Sequence, residues 1–293
     1  MALCAAAVMF AIHHYQYRFV RSESDMIALL PGREATAFFA DVAALRGSRV
    51  LQMIAGSKKI QEPEYQEFIR QTHFDYFRDV DTVAGAFEEE RVVLIIRGRF
   101  DWRSLRAYSL THGGLCADDL CSLPASKPGR WASFRPIQPD VMGLVVGSDK
   151  AAAGSLFKSG GNLSEMISPA PVWISLSRTL LQNPQTAPLP ARIFAICLQS
   201  AERVELSFDV AASNASPFEL RLDAPCPTAA TAQTIKSQLE LETKALRLEL
   251  AREHRLPNPS DLTGLLVAGT FATADTHVIG TWPVHIELLR SLQ

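Results

Sequence analysis

Apolar and polar positions along the chain switch repeatedly between a period near 3.6 and a period of two, and the switches predict the elements. Residues 35–42 read as a strand that runs into a short helix at 42–45, with a further helical patch at 50–55. Glu62-Pro63-Glu64 opens a helix through about residue 72; Pro63 is tolerated in the first turn, where its missing N–H has no helical partner anyway. Two apolar runs, 80–88 and 91–99, are separated by Glu88-Glu89-Glu90 and predict paired strands. Asp101 stands where it can cap a helix over 102–112, and Gly113-Gly114 ends it. A hairpin turning at Asp118-Asp119, strands at 131–135 and 141–146 and a helix at 149–158 complete the first half.

The second half runs through similar elements. A strand at 172–176, a strand-like run at 193–198 and a strand pair at 204–211 and 217–222 precede a long helix over 228–254. That helix keeps Ile235, Leu239, Leu246 and Leu250 on one face and is followed by Pro257. Strands at 265–271 and 277–282 and a helix at 283–292 close the chain. The fold class expected is α+β, as two similar units after an N-terminal apolar helix, each unit an antiparallel sheet with helices on one face. The boundaries are 1–25 for a signal or anchor segment, 26–160 and 172–293 for the units, and a Gly-, Ser- and Pro-rich linker at 161–171. A single irregular α+β domain is the alternative.

Residues 1–12 carry no charge, and the first arginines, Arg18 and Arg21, follow the apolar run. The run is short of the roughly 20 residues a spanning helix needs but matches the core of a signal peptide. It reads as the distal part of an export signal or anchor, with a packed N-terminal helix and a cytoplasmic-facing anchor as the competing readings. The cysteines favour the outside. Cys116 and Cys121 can face each other across the hairpin, and Cys197 and Cys226 can bridge neighbouring strands, which leaves Cys4 in the leader. The localisation expected is the cell envelope, periplasmic or membrane-anchored.

A net charge of −2 argues against a protein that works by neutralising phosphates, so no nucleic-acid partner is expected. Ser155 and Lys158 match S-x-x-K, but the companion elements overlap it instead of standing on separate strands and helices. No metal and no cofactor is implied: C-x4-C occurs without a second zinc pair, and His285 and Glu287 diverge on the helix expected there. His73, His112 and His254 sit near predicted helix ends, where the dipole accounts for them. Arg97, Arg99, Asp101 and Arg103 gather at a strand-to-helix junction beside Trp102, a candidate site for an anionic ligand. Acidic residues Glu62, Glu64, Glu67, Asp75, Asp79 and Asp81 surround Tyr65, Phe68, Phe74, Tyr76 and Phe77, and read as a solvated face over an aromatic core.

Leu30-Pro31, Phe74-Asp75, Asp79-Val80-Asp81 and Gly98-Arg99-Phe100-Asp101 resemble segments of a group of uncharacterised exported or membrane-anchored bacterial proteins. The likeness covers mostly the first half, and it implies a location without implying an activity. The function expected is therefore an extracytoplasmic binding or scaffolding protein, tethered or exported by its N-terminus, whose partner is a protein or a cell-envelope component and which catalyses no reaction. The rival is an enzyme or a small-ligand carrier with a pocket between the two units; a lipid carrier would need a continuous apolar cavity between sheet and helices.

Overall fold

The computed structural model describes residues 20–32, 35–48, 50–51, 62–88, 90–156, 168–183, 189–210 and 218–291. The apolar start with Cys4, most of the patch at 50–55, Lys158 and most of the expected linker lie outside these residues. Mixed helix and antiparallel sheet is what the chain forms. The strands are β1 (Thr36–Asp41), β2 (Val80–Phe87), β3 (Val92–Gly98), β4 (Leu115–Ala117), β5 (Leu120–Pro124) and β6 (Trp131–Gln138). They continue with β7 (Val141–Gly147), β8 (Val172–Leu176), β9 (Val204–Val210), β10 (Phe218–Pro225), β11 (Thr270–Ala274) and β12 (His277–Val284).

All twelve belong to one sheet in the order β11-β12-β10-β9-β8-β1-β2-β3-β7-β6-β5-β4. Every neighbouring pair is antiparallel. Read outward from the β1/β8 pair, the first wing runs β1-β2-β3-β7-β6 and the second β8-β9-β10-β12-β11, so the chain visits positions in the same sequence on both sides. β5 and β4 extend the first wing alone.

The register assigns the faces, because directly opposed residues share one. Phe38, Gly85, Leu94, Leu144 and Phe134 lie on one face of the first wing. Ile174, Leu206, Leu222 and Gly280 continue that face across the second. On the opposite face of the first wing, Ala37, Phe39, Ala84, Ala86, Val93 and Ile95 are almost wholly buried. Their cover is α1 (Glu23–Ile27), the following Leu29 and Leu30, and a 3-10 turn at Ala152–Ser155. Ser22 and Asp25 form a reciprocal capping box that starts α1, and Arg97 fastens its approach by donating to the Val20 carbonyl at 2.7 Å. The first wing is thus covered on both faces, where helices on one face were expected.

On the shared face, α2 (Val42–Gly47), α3 (Pro63–Thr72), α4 (Tyr76–Asp79) and α5 (Trp102–Thr111) lie over the first wing; α6 (Arg178–Gln182) follows β8. Over the second wing lie α7 (Leu189–Cys197), α8 (Ala229–Arg252) and α9 (Leu262–Val267), and α10 (Ile286–Ser291) ends the described chain. Thr228 caps α8, which buries Ala232, Ile235, Leu239, Thr243 and Leu250 along one stripe.

Three expectations are corrected. Residues 193–198, a strand-like run in the sequence, are mostly the end of α7: Phe194, Cys197 and Leu198 are buried and Ile193 and Ile196 exposed, a helical spacing. Residues 265–271 begin within α9, capped by Asp261, and turn into strand only at Thr270. The helix expected at 149–158 is, within the described residues, only the 3-10 turn. No helix among the described residues is long and apolar enough to cross a membrane.

Candidate functional site: an apolar cavity under aromatic helices

The sequence between residues 62 and 80 cannot form one long helix. His73 takes a left-handed conformation (φ 55°) that ends α3, and Asp75 starts α4 two residues later by accepting from the Phe77 amide at 3.0 Å. The two short helices and the break between them bring Phe68, Phe74, Tyr76 and Phe77 to one wall above the sheet. Their rings form a chain of contacts: Phe68 meets Phe74 and Tyr108 edge-on, Phe74 stacks on Phe100, and Tyr76 lies against Tyr65 and Phe77.

Beneath these rings is a cavity of about 520 Å³. Its floor crosses five strands, from Val80 and Val83 on β2 through β3, β7 and β6 to Leu123 on β5. Leu105 and Tyr108 of α5 and Val42 of α2 complete the wall. Among the described residues no charged side chain lines it, and Tyr76 and Tyr108 are the lining side chains that carry a hydroxyl. Val83, Leu94, Ile96 and Leu144 are only half-buried although their strands are interior, because among the described residues none fills the space above them. An apolar cavity of about 150 Å³ already stays dry and takes up benzene, and ligand sites run from about 300 to 1,000 Å³. This one has the size and the lining of a site for a hydrophobic molecule.

The roof is pinned by charge at its hinge. Asp79, at the end of α4, is 5% exposed and accepts from the Asp75 amide at 2.9 Å and from Arg99 at 2.9 Å. Burial pushes the Asp79 carboxyl up, but the Asp75 amide, Arg99 and Arg78 together outweigh it and hold it below the usual carboxylate range. Gly98 lets the two segments meet: a Cβ there would come within 2.3 Å of the Asp79 carbonyl oxygen. Arg46 of α2 donates to the carbonyls of Phe77 and Val80, tying a third helix to the same hinge. Burial, then the Asp75 carboxylate that accepts from its hydroxyl, pushes the Tyr65 phenol up, and Tyr76 is raised by burial, Glu62 and Asp75.

The expected anion site does not assemble. Arg97 turns to Val20, Arg99 binds Asp79, Asp101 caps α5 by accepting from the Ser104 amide at 3.1 Å, and Arg103 is exposed. Trp102 donates to the Pro139 carbonyl at 2.8 Å. Arg97, Arg99, Asp101 and Trp102 each have their own structural contact, which ties β3 to its neighbouring segments.

Cys116 and Cys121 form a disulfide at directly opposed positions of β4 and β5. Cys121 is buried with Leu105, Phe134 and Met142, all of them cavity residues, so the bridge braces that wall. Cys197 and Cys226 are free, buried thiols, contrary to the bridge considered for them; one ends a helix where a strand was expected, so no strand pair presents them to each other. Burial pushes both thiols up. Ser155 donates to the Ala152 carbonyl in the 3-10 turn. His73 lies 3.5 Å from Asp101, and His112 stacks on Tyr108 with ring centres 4.0 Å apart. No group of three metal-ligating side chains occurs among the described residues.

A second hollow of about 860 Å³, more open and with mixed polar and apolar walls, lies where β1 and β8 meet, beside Thr36, Phe87, Ile174 and Ser177. The apolar cavity is set away from that seam, within the first wing. The aromatic density at residues 65–77 is plain in the sequence, where it reads as a core under a solvated acidic face. The signal that separates the two was the break at His73-Phe74-Asp75, which divides the cover into pieces too short to fill the space.

No known protein family and no curated protein sequence matches the chain. Among solved structures, crystal form III of TP0453 is similar over 91% of this chain and 96% of that one, at 12% identity and a TM-score of 0.50. Crystal form I gives 13% identity over 91% and 95%, with a TM-score of 0.49. At such identity the likeness extends to the fold alone.

Proposed function

We propose that this chain is an extracytoplasmic carrier that holds a hydrophobic, lipid-like ligand in the cavity beneath α3, α4 and α5. The observation that carries the reading is the 520 Å³ space with an uncharged lining and a roof of short aromatic helices. A scaffold would gain nothing from leaving apolar side chains half-buried under a void, since each buried side chain of this kind contributes roughly 1.5–3 kcal/mol to stability. Location outside the cytoplasm is supported by the Cys116–Cys121 bridge, and delivery or tethering by the apolar N-terminus fits the same place. The parallel order of strands on either side of the β1/β8 pair supports two related units, of which the first has specialised.

The experiment is a fluorescence titration with N-phenyl-1-naphthylamine, an uncharged dye that brightens in apolar surroundings. One saturable site per chain is the expected result. A linear, non-saturating signal equal to that of a cavity-free control protein would overturn the proposal.

A further inference from the structure

The cavity has a recognisable mouth and a long axis, and each constrains the cargo. Tyr76 is 39% exposed, the most exposed of the large side chains in the wall, and so marks the opening near α2, α4 and the start of β2. From there the floor crosses four interstrand steps of about 4.8 Å, which makes the cavity roughly 19 Å long. A carbon chain built from bonds of about 1.5 Å advances about 1.25 Å per atom, so about twelve to fifteen carbons span it.

The fixed charge at the mouth is acidic. Asp75 directly precedes Tyr76 and accepts at 2.8 Å from the hydroxyl of Tyr65, whose ring centre lies 4.5 Å from that of Tyr76; Glu62 stands at the start of α3, and Asp81 directly follows the lining residue Val80. Three guanidiniums lie nearby among the described residues. Arg46 lies 3.8 Å from Asp81 and gives its hydrogen bonds to backbone carbonyls, while Arg78 and Arg99 are both bound to Asp79. Among the described residues no ion pair engages Glu62 or Asp75, and the four carboxylates Glu62, Asp75, Asp79 and Asp81 outnumber these three guanidiniums by one, so the field beside the opening is acidic. A ligand whose chain fills the cavity must leave its polar end in that field.

Resting on the carrier reading above, we infer that the cargo is a single-chain alkyl or acyl compound whose polar end is neutral or cationic, and that the mouth disfavours a carboxylate-terminated chain. The cavity wall recognises the hydrocarbon, and the acidic rim selects among head groups by repulsion.

The test is displacement of bound N-phenyl-1-naphthylamine by dodecylamine, dodecanol and dodecanoate at pH 7.5 and low ionic strength, each below its micelle-forming concentration. The amine and the alcohol are expected to displace the dye at concentrations about tenfold lower than the carboxylate, a difference of about 1.4 kcal/mol. Adding salt to about 0.5 M should narrow the gap, because exposed charges are screened. Glu62→Gln should narrow it at low salt by improving the carboxylate alone. If the dye binds and dodecanoate displaces it as well as dodecylamine does, the head-group inference is wrong and the carrier reading stands. If the dye does not bind saturably, the carrier reading fails and takes the inference with it.

Discussion

The two wings of the sheet share a strand order and differ in their cover, and the difference locates the site. Over the second wing, α8 runs for 24 residues, about 36 Å, and closes the face with a continuous apolar stripe. Leu222, Ile235 and Leu239 beneath and along it are each 1% exposed. Over the first wing the topologically matching helix, α5, has 10 residues and buries only Leu105 and Ser109. It packs against α3 and the β4–β5 hairpin, leaving β2, β3 and β7 to be roofed by side chains from α3 and α4. Equivalent strands are therefore floor to a void on one side and part of a dense core on the other. A sheet can spare that packing on one face of the first wing because α1 and the 3-10 turn cover the other.

Truncation gives the largest contrast. Leu222→Ala should cost about 3 kcal/mol, since it opens a cavity in a filled core, whereas Leu94→Ala should cost about 1 kcal/mol, because its site already borders one. Urea unfolding of the two variants checks this, and equal losses would erase the distinction between the wings. Next is the hinge: Asp79→Ala removes charge-assisted hydrogen bonds from a buried position and should cost about 2 kcal/mol near neutral pH. The Asp79 carboxyl lies below its usual value of 3.8 in the folded state, so its contribution is present above that pH and disappears as the pH falls through the lower folded value. The difference between wild type and Asp79→Ala should accordingly shrink in acid.

Reduction or double serine replacement of Cys116 and Cys121 follows, at about 2 kcal/mol for so short a loop in the chain-entropy estimate. Because Cys121 packs on cavity residues, the loss should also weaken dye binding, which a titration under reducing conditions measures. The smallest effect has the opposite pH sign. Glu205, opposite the buried Ser175 at the seam, is raised above 4.5 chiefly by burial and again by Asp223, so its ionisation costs stability above that pH and nothing below it. Glu205→Gln should raise the unfolding midpoint slightly at pH 7 and leave it unchanged in acid.

Much of the scaffold was legible in the chain. The strand pair around Glu88-Glu89-Glu90, the cap at Asp101, the long helix beginning near residue 228 and the hairpin carrying Cys116 and Cys121 are local signals, and each appears close to where the pattern put it. α7 was misread because Ile193 and Ile196, which suggest a strand by type, are the exposed residues of a helix. α1 was hidden in a polar stretch whose meaning depends on its capping box and on Met26 and Ile27 reaching a sheet formed far along the chain. The cavity was the least visible feature. Phe68, Phe74 and Phe77 have the same composition whether they fill a core or roof a void; the register of distant strands decides which. The arginine cluster misled for a related reason, since the partners of Arg97 and Arg99 are Val20 and Asp79, remote in sequence.

The most direct test of the account is the dye titration repeated on Val83→Trp, which places a large ring in the floor of the cavity, with urea unfolding of the same protein as its companion reading. The account predicts that the variant loses saturable N-phenyl-1-naphthylamine binding by more than about tenfold while its unfolding midpoint stays level or rises, because the ring occupies empty apolar space. Dye binding undiminished in a folded Val83→Trp protein would contradict it.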